Sequence, residues 1–295
     1  MTDYATLGPG IDGMTDARAR DVMARVARTF DIATRLLPGD LRRDVRRLYL
    51  VLRTLDDLVD HADRDRAGAR ERLAQVERWA RGGSAHGPEA AILADLVRRH
   101  PRFPRDAVVD LCAGLRADLE GPRLATDADL DHYCYCVAGT VGRMMAALLG
   151  VTPGREAEAD RAARALGAAM QRTNILRDIV EDAARGRVYV PAARLAAHGI
   201  VATPETLAAL SGWDPGARAA LLREQIALAD ADYAAGLAGV RLLQRGRWAV
   251  TAAAVLYREI LRQIERDGLG RSARRAVVPR HRKVALLLGL PRALA

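Results

Sequence analysis

The sequence predicts an all-α fold, a single helical bundle, and three observations predict it. Alanine, leucine and arginine dominate, a helix-forming vocabulary, while aromatics make up 4% of the chain and phenylalanine occurs only twice. No stretch shows strand-like alternation, and no repeat of solenoid length occurs. Segments of about 15 to 25 residues lie between short connections, which suits a bundle of roughly a dozen helices. Half of the 295 residues are hydrophobic, ample for a buried core.

Residues 1–14 hold three glycines and a proline and read as a flexible arm, leaving 15–290 as the helical domain. Asp16 is placed to cap a helix from about Ala17 to Leu36. Pro38 and Gly39 break the chain, and Asp40 is placed to cap the next helix, which reaches about His61. Residues 68–119 read as three helices separated by Gly82-Gly83 and Pro101-x-x-Pro104. Asp127 or Asp129 starts a helix through about Leu149. Gly139 and Gly142 within it each cost about 1 kcal/mol relative to alanine, so another helix or a ligand should approach closely there. A central helix then runs to the turn Gly186-Arg-Val-Tyr-Val-Pro191. A short helix over 203–210 follows, then long ones over Pro215–Leu243 and Trp248–Arg266. The tail from Arg271 to Pro291 is basic, then apolar.

Two stretches carry chemistry. In the central helix Asn174, Asp178 and Asp182 are each four residues apart and stack along one face. Three oxygen-bearing side chains in a row make a hard-cation surface of the kind Mg²⁺ uses, usually shared with substrate phosphate. Arg172, Arg177, Arg185 and Arg187 surround the stripe and are candidates to hold phosphate oxygens. The plain alternative is a solvated helix face. A second acidic set, Asp56, Asp57 and Asp60, sits among Leu48, Tyr49, Val51, Leu52, Leu55, Leu58 and Val59. Acids among apolar neighbours are costly unless something pairs them, and a divalent metal is the natural partner. Two such helices facing one another would hold a few ions bridged by a diphosphate.

From about Arg28 to Arg282 the chain resembles the squalene/phytoene synthases, which join isoprenyl diphosphates head to head. The resemblance rests on Thr29-Phe30, Arg35-Leu-Leu-Pro38, Arg53-x-x-Asp-Asp-x-x-Asp60 and Gly114-x-x-x-Asp118. It continues through Tyr133-Cys-Tyr-Cys-Val-Ala-Gly-Thr-Val-Gly142, Gln171-x-x-Asn-x-x-Arg-Asp-x-x-x-Asp182, Gly186-Arg-Val-Tyr-Val-Pro191 and Leu256-Tyr257-Arg258. One DxxxD alone is a weak signal; two, with the tyrosine-glycine segment between them, are specific.

The resemblance implies the isoprenoid-synthase fold, with the two acidic helices facing across the mouth of a central cavity. It implies metal ligation by Asp56, Asp57, Asp60, Asn174, Asp178 and Asp182. Arg53, Arg177 and Arg187 would steady diphosphate, and Thr29, in the place of the family's serine, would assist beside Phe30. Gln171, Tyr49 and Asp118 join the substrate-binding set. Val137, Ala138 and Gly142 would wall the prenyl pocket, with Tyr133 near the reacting carbons and Tyr189 on a flap that excludes water. Tyr257 matches a late pocket tyrosine, or is a core residue. Arg143 replaces a residue that is often neutral in the family. It faces out of the pocket, binds phosphate, or marks altered chemistry.

The implied reaction is Mg²⁺-dependent, with Mn²⁺ as a substitute, and makes phytoene from two geranylgeranyl diphosphates. The wording of the motifs is closest to bacterial phytoene synthases. The alternatives are squalene or dehydrosqualene from farnesyl diphosphate, and cyclisation of a single prenyl diphosphate. NADPH is disfavoured by the lack of a glycine-rich dinucleotide fingerprint. A net charge of +9 also permits a non-catalytic helical protein that binds nucleic acid or membrane. Acids facing a cavity would repel nucleic acid, so none is expected as a partner. The basic tail could lie on an anionic membrane or pack on its own domain. Three cysteines without zinc spacing, no secretory signal and no apolar run long enough to span a bilayer point to the cytoplasm.

Overall fold

The computed structural model describes Asp16, Ala17, Ala19, Arg20 and residues 34–62, 65–272 and 274–290. The expected arm over 1–14, and Thr29 and Phe30, lie outside the described residues. Among those described there is no strand, only isolated bridges at Arg123–Val188 and Val151–Leu243.

The helix α1 (Gly39–Asp60) buries Leu41, Val45, Leu48, Val51, Leu55 and Val59, spaced three or four apart as one helical face requires. Asp40 does not cap it. Pro38 takes the N-cap place, so Asp40 falls inside the first turn, where its carboxylate accepts from Arg245 at 2.9 Å. The three expected helices follow as α2 (Arg66–Ala80), α3 (Gly87–Arg99) and α4 (Arg105–Glu120). A capping box between Thr126 and Asp129 starts α5 (Asp127–Cys134). The cap is Thr126, and Asp129 closes the box from inside the first turn.

One continuous helix to Leu149 was expected here. The chain instead makes a π-helical turn over Tyr135–Gly139 before resuming as α6 (Thr140–Leu149). Such turns cluster at functional sites because they redirect the side chains that follow. Behind this segment lies α7 (Glu156–Ala184), the longest helix described. Two glycines let the backbones meet. A Cβ on Gly142 would lie 2.1 Å from the Ala163 carbonyl oxygen, and one on Gly167 would lie 2.2 Å from that of Ala138. Close approach of a helix is therefore what the glycines serve.

The remaining helices are α8 (Ala192–Ala197), α9 (Pro204–Ala208), α10 (Pro215–Ala238), α11 (Arg247–Arg266) and α12 (Arg280–Leu288). The first of the two long helices ends at Ala238, before a single 3₁₀ turn at Val240–Leu242. Two apolar cores result. One joins α1 to α4 and α6, through residues such as Leu48, Leu73, Leu93 and Met144. The other joins α5 and α7 to α11, through Leu130, Ile175, Leu221, Tyr233 and Leu261. A cavity of about 720 Å³ lies where α1, α4, the π turn, α6, α7 and α11 come together.

Candidate active site

The cavity has a polar mouth and an apolar interior, and both come from helical periodicity. The residues of α7 that line it recur every three or four positions, from Ala159 through Ala163, Leu166, Met170 and Asn174 to Asp178 and Asp182. On α1 the lining runs from Val45 through Leu48, Leu52 and Asp56 to Asp60. Each helix thus passes from aliphatic to acidic along one face, and the two acidic ends share the mouth. Asp57 does not line the cavity. It turns from the wall because it lies one residue, a rotation of about 100°, past Asp56.

Arginines thread between these acids. Arg53 Nη1 donates to Asp56 Oδ2 at 3.2 Å and its Nη2 donates to Asp57. Arg187 Nη1 donates to Asp60 Oδ1 at 2.6 Å, tying the turn after α7 to the end of α1. Arg177 grips Asp178 with two bonds, at 2.8 and 2.6 Å. Arg275 grips the same carboxylate from the far side, at 2.8 and 3.1 Å. Among the described residues, no three acids, histidines or cysteines converge tightly enough to form a ready-made metal cluster.

The carboxylates are strained electrostatically. Desolvation, then the charge of Asp178, pushes Asp182 up to about 7. Desolvation, then Asp60, pushes Asp56 up to about 6. Its side chain keeps 51% of its surface accessible because it faces the cavity, yet protein surrounds it on the other sides. Beside them Asn174 Nδ2 donates to Gln171 at 3.3 Å, while Asn174 Oδ1 is buried and has no hydrogen-bond partner. A buried acceptor left unpaired is costly.

Deeper in, Asp118 accepts from two tyrosines at once, Tyr133 at 2.9 Å and Tyr189 at 3.0 Å. Their rings stack with centroids 5.0 Å apart. Burial pushes the Asp118 carboxyl up to about 6, and the two hydroxyl donors only partly offset it. Tyr49, Val137, Ala138, Gly142, Gln171 and Tyr257 also line the cavity. Arg172 does not. It is buried on the opposite side of α7, where it donates to Asp131 and Asp232. Arg143 faces out of the pocket, donating to Asp160 and Asp106 at 2.7 Å and to the Tyr135 hydroxyl at 3.1 Å. It braces the π turn from behind. Arg275 and Glu181 line the cavity without having been singled out from the sequence. Arg275 sits in a basic run that reads as a solvated tail.

Residues 23–282 match the family model described as squalene/phytoene synthase. The chain belongs to the squalene/phytoene synthase family. Among curated members of the squalene/phytoene synthase family, it is 39% identical over 259 residues to a phytoene synthase of Thermus thermophilus, covering 88% of this chain and 86% of that one. It is 35% identical to the chloroplastic phytoene synthase 3 of Zea mays over 94% of its own length, and spans 64% of that relative. Among solved structures, a dehydrosqualene synthase in complex with ligand superposes with a TM-score of 0.81 at 28% identity, covering 93% of this chain and 94% of that one. A squalene synthase from Alicyclobacillus acidocaldarius gives 0.72 at 25% identity, covering 88% and 97%. The fold is therefore the all-α one that the squalene/phytoene synthase family shares.

Proposed function

We propose that the protein joins two geranylgeranyl diphosphates head to head, through a cyclopropylcarbinyl diphosphate, to give phytoene. The observation that carries this reading is the pair of acidic helix ends, interleaved with arginines, at the mouth of an otherwise apolar cavity. Such a site takes an anionic head and a long hydrocarbon. The relatives named phytoene synthases, at 35% and 39% identity, support the choice of product.

Oxygen ligands in this number suit Mg²⁺, with Mn²⁺ as the substitute. The residues fit such an ion: burial, then the like charges of Asp60 and Asp178, raises Asp56 and Asp182, and the Asn174 oxygen lacks a partner. Asp56, Asp60, Asn174, Asp178 and Asp182 would hold the ions. When bound, these ions would offset the charge of the diphosphate and ease its departure.

The chain's own groups do the rest. Arg53, Arg177, Arg187 and Arg275 line the cavity and would hold the phosphate oxygens. The first allylic carbon loses its diphosphate and is attacked by the double bond of the second substrate, and loss of a proton closes the cyclopropane. Departure of the second diphosphate and rearrangement give a cation that discharges by losing another proton, so no reductant is needed. The stacked rings of Tyr133 and Tyr189 offer π faces to these cations. Asp118 fixes both hydroxyls and so orients the rings. The apolar walls keep out water, which would quench a cation.

Incubation with Mg²⁺ and, separately, C15 and C20 prenyl diphosphates tests the reading, with products identified by mass spectrometry with and without NADPH. A C40 hydrocarbon is expected. A C30 product would favour the squalene or dehydrosqualene reading, and a cyclic C15 or C20 product would overturn coupling. No diphosphate release from any substrate would favour a non-catalytic protein.

The same reading puts the protein in a reducing cytoplasm and at a lipid surface, since its substrates and product are lipids. Cys112, Cys134 and Cys136 are free and buried. No described helix is long and apolar enough to cross a membrane. Helix α12 buries none of its residues and exposes Val284 and Leu288 beside Arg280, which suits peripheral contact with anionic lipid. Unchanged sedimentation with anionic liposomes after deletion of residues 283–295 would refute that contact.

A further inference from the structure

We propose that Ala163 sets the length of prenyl chain the protein accepts. This rests on the coupling function proposed above and goes on to name the residue that chooses the substrate.

The lining face of α7 is a ruler. At about 1.5 Å per residue, Leu166 lies ~18 Å from Asp178 along the helix, Ala163 ~22 Å and Ala159 ~28 Å. Carbon–carbon bonds of ~1.5 Å advance an extended chain by about 5 Å per isoprene unit, so a C15 chain spans ~15 Å and a C20 chain ~20 Å. An ion between acid and phosphate adds ~4 Å, two metal–oxygen bonds, before the chain begins. The end of a C15 chain then comes level with Leu166, and the fourth isoprene unit of a C20 chain lies alongside Ala163. On the adjoining wall, α6 packs its Gly142 against the Ala163 carbonyl, and Met145 and Ala146, one turn on, line the cavity.

At that depth the walls are small-sided, with Ala162, Ala163 and Gly239 among the lining residues. Leu149 and Leu243 line the cavity as well. There the chain is clasped by backbone bonds from Gln244 N to Gly150 O at 2.9 Å, Arg245 N to Leu149 O at 3.1 Å and Thr152 N to Leu242 O at 2.9 Å. Bulk added at Ala163 therefore takes space from the last isoprene unit. Ala163 lines the cavity and keeps some of its surface accessible. Its neighbour Ala162 lines the cavity too, but abuts Gly239. A Cβ on Gly239 would come within 2.1 Å of the Ala162 Cβ, so growth there would press on the end of α10 as well as fill the cavity.

The test compares wild type and Ala163→Phe with farnesyl and geranylgeranyl diphosphates, each with Mg²⁺, by kcat/KM and product mass. The variant is expected to raise the C15-over-C20 ratio about ten-fold or more, with C30 replacing C40 hydrocarbon. Met145→Phe, on the adjoining wall formed by α6, is expected to shift the ratio in the same direction and decides the matter if Ala163→Phe does not fold. An unchanged preference in a folded variant overturns the inference while leaving the coupling function standing. A wild-type protein that makes no coupled hydrocarbon from either substrate overturns the function, and the inference with it.

Discussion

Replacing Asp118 with asparagine should damage catalysis far more than folding. Asp118 accepts from Tyr133 at 2.9 Å and from Tyr189 at 3.0 Å, one hydroxyl on each oxygen. Asparagine keeps one acceptor and turns the other into a donor. One tyrosine keeps its bond and the other meets an N–H₂ group. A hydrogen bond to a charged acceptor is worth about 1.5–3 kcal/mol, and a hydroxyl left unpaired costs about 1–3 kcal/mol. Some of this is recovered, because the carboxylate is itself uncomfortable. Its folded value of about 6 lies above the ordinary aspartate value of 3.8, so the ionised group costs the fold stability above pH 6, and that cost fades as the pH falls toward 4. The variant should therefore be least destabilised, relative to wild type, near pH 7, with a net loss of about 1–3 kcal/mol. The rings would no longer be held at their stacked spacing, and kcat should fall about 100-fold with little change in KM. Steady-state kinetics and thermal melts at pH 5 and 7 would show it. In a cycle of Asp118→Ala with Tyr133→Phe the two losses should be strongly non-additive, because both remove the Tyr133–Asp118 bond. Wild-type kcat in Asp118→Asn, or simple additivity, would refute the idea that Asp118 acts by holding the tyrosines.

Asp178→Ala should abolish turnover, at least about a hundred-fold, while the helical circular dichroism stays near wild type; an active variant would sink the metal assignment. Because Asp56 and Asp182 are raised to about 6 and 7, a cation must displace protons there, so Mg²⁺ affinity should fall as pH drops from 8 to 6. Titration calorimetry in buffers of different ionisation enthalpy should show proton release near pH 6.5, and none there would contradict the electrostatics. Gly142→Val should cost about 1–3 kcal/mol by overpacking, since its Cβ would sit 2.1 Å from the Ala163 oxygen. A melting temperature equal to wild type would mean that the helices can separate without penalty.

Most of the fold was legible because helices are local. The breaks at Pro38, at Gly82-Gly83 and at Pro101 fell where the structure ends or begins helices. Caps were less legible. Asp40 looks like a cap, yet the chain direction is already set by Pro38. The π turn at Tyr135–Gly139 was not legible, because a single residue of slippage leaves the apolar pattern helical on both sides. Its consequence, which face of α6 meets the cavity, is a tertiary fact.

The candidate site divides along the same line. Its acids could be read from the sequence because four-residue spacing puts Asn174, Asp178 and Asp182 on one face, and Asp56 and Asp60 on another, wherever the helices go. Their counter-charges could not. Asp178 is held by Arg177 beside it and by Arg275 from a segment 97 residues on, while Asp60 is held by Arg187, 127 residues away. Arg172, on the same helix as Asp178 and an obvious local choice, is engaged instead with Asp131 and Asp232 on α5 and α10. An acid placed by periodicity can be balanced from anywhere that the fold brings near. The cost of acids in an apolar helix therefore announces that a partner exists without saying which one. In this chain the partners are arginines, and a metal–diphosphate complex would have to compete with them for the same carboxylate oxygens. That competition ties the two ligands together: an arginine turned off its aspartate by a cation is left as a free donor at the cavity mouth, where a phosphate oxygen can take it.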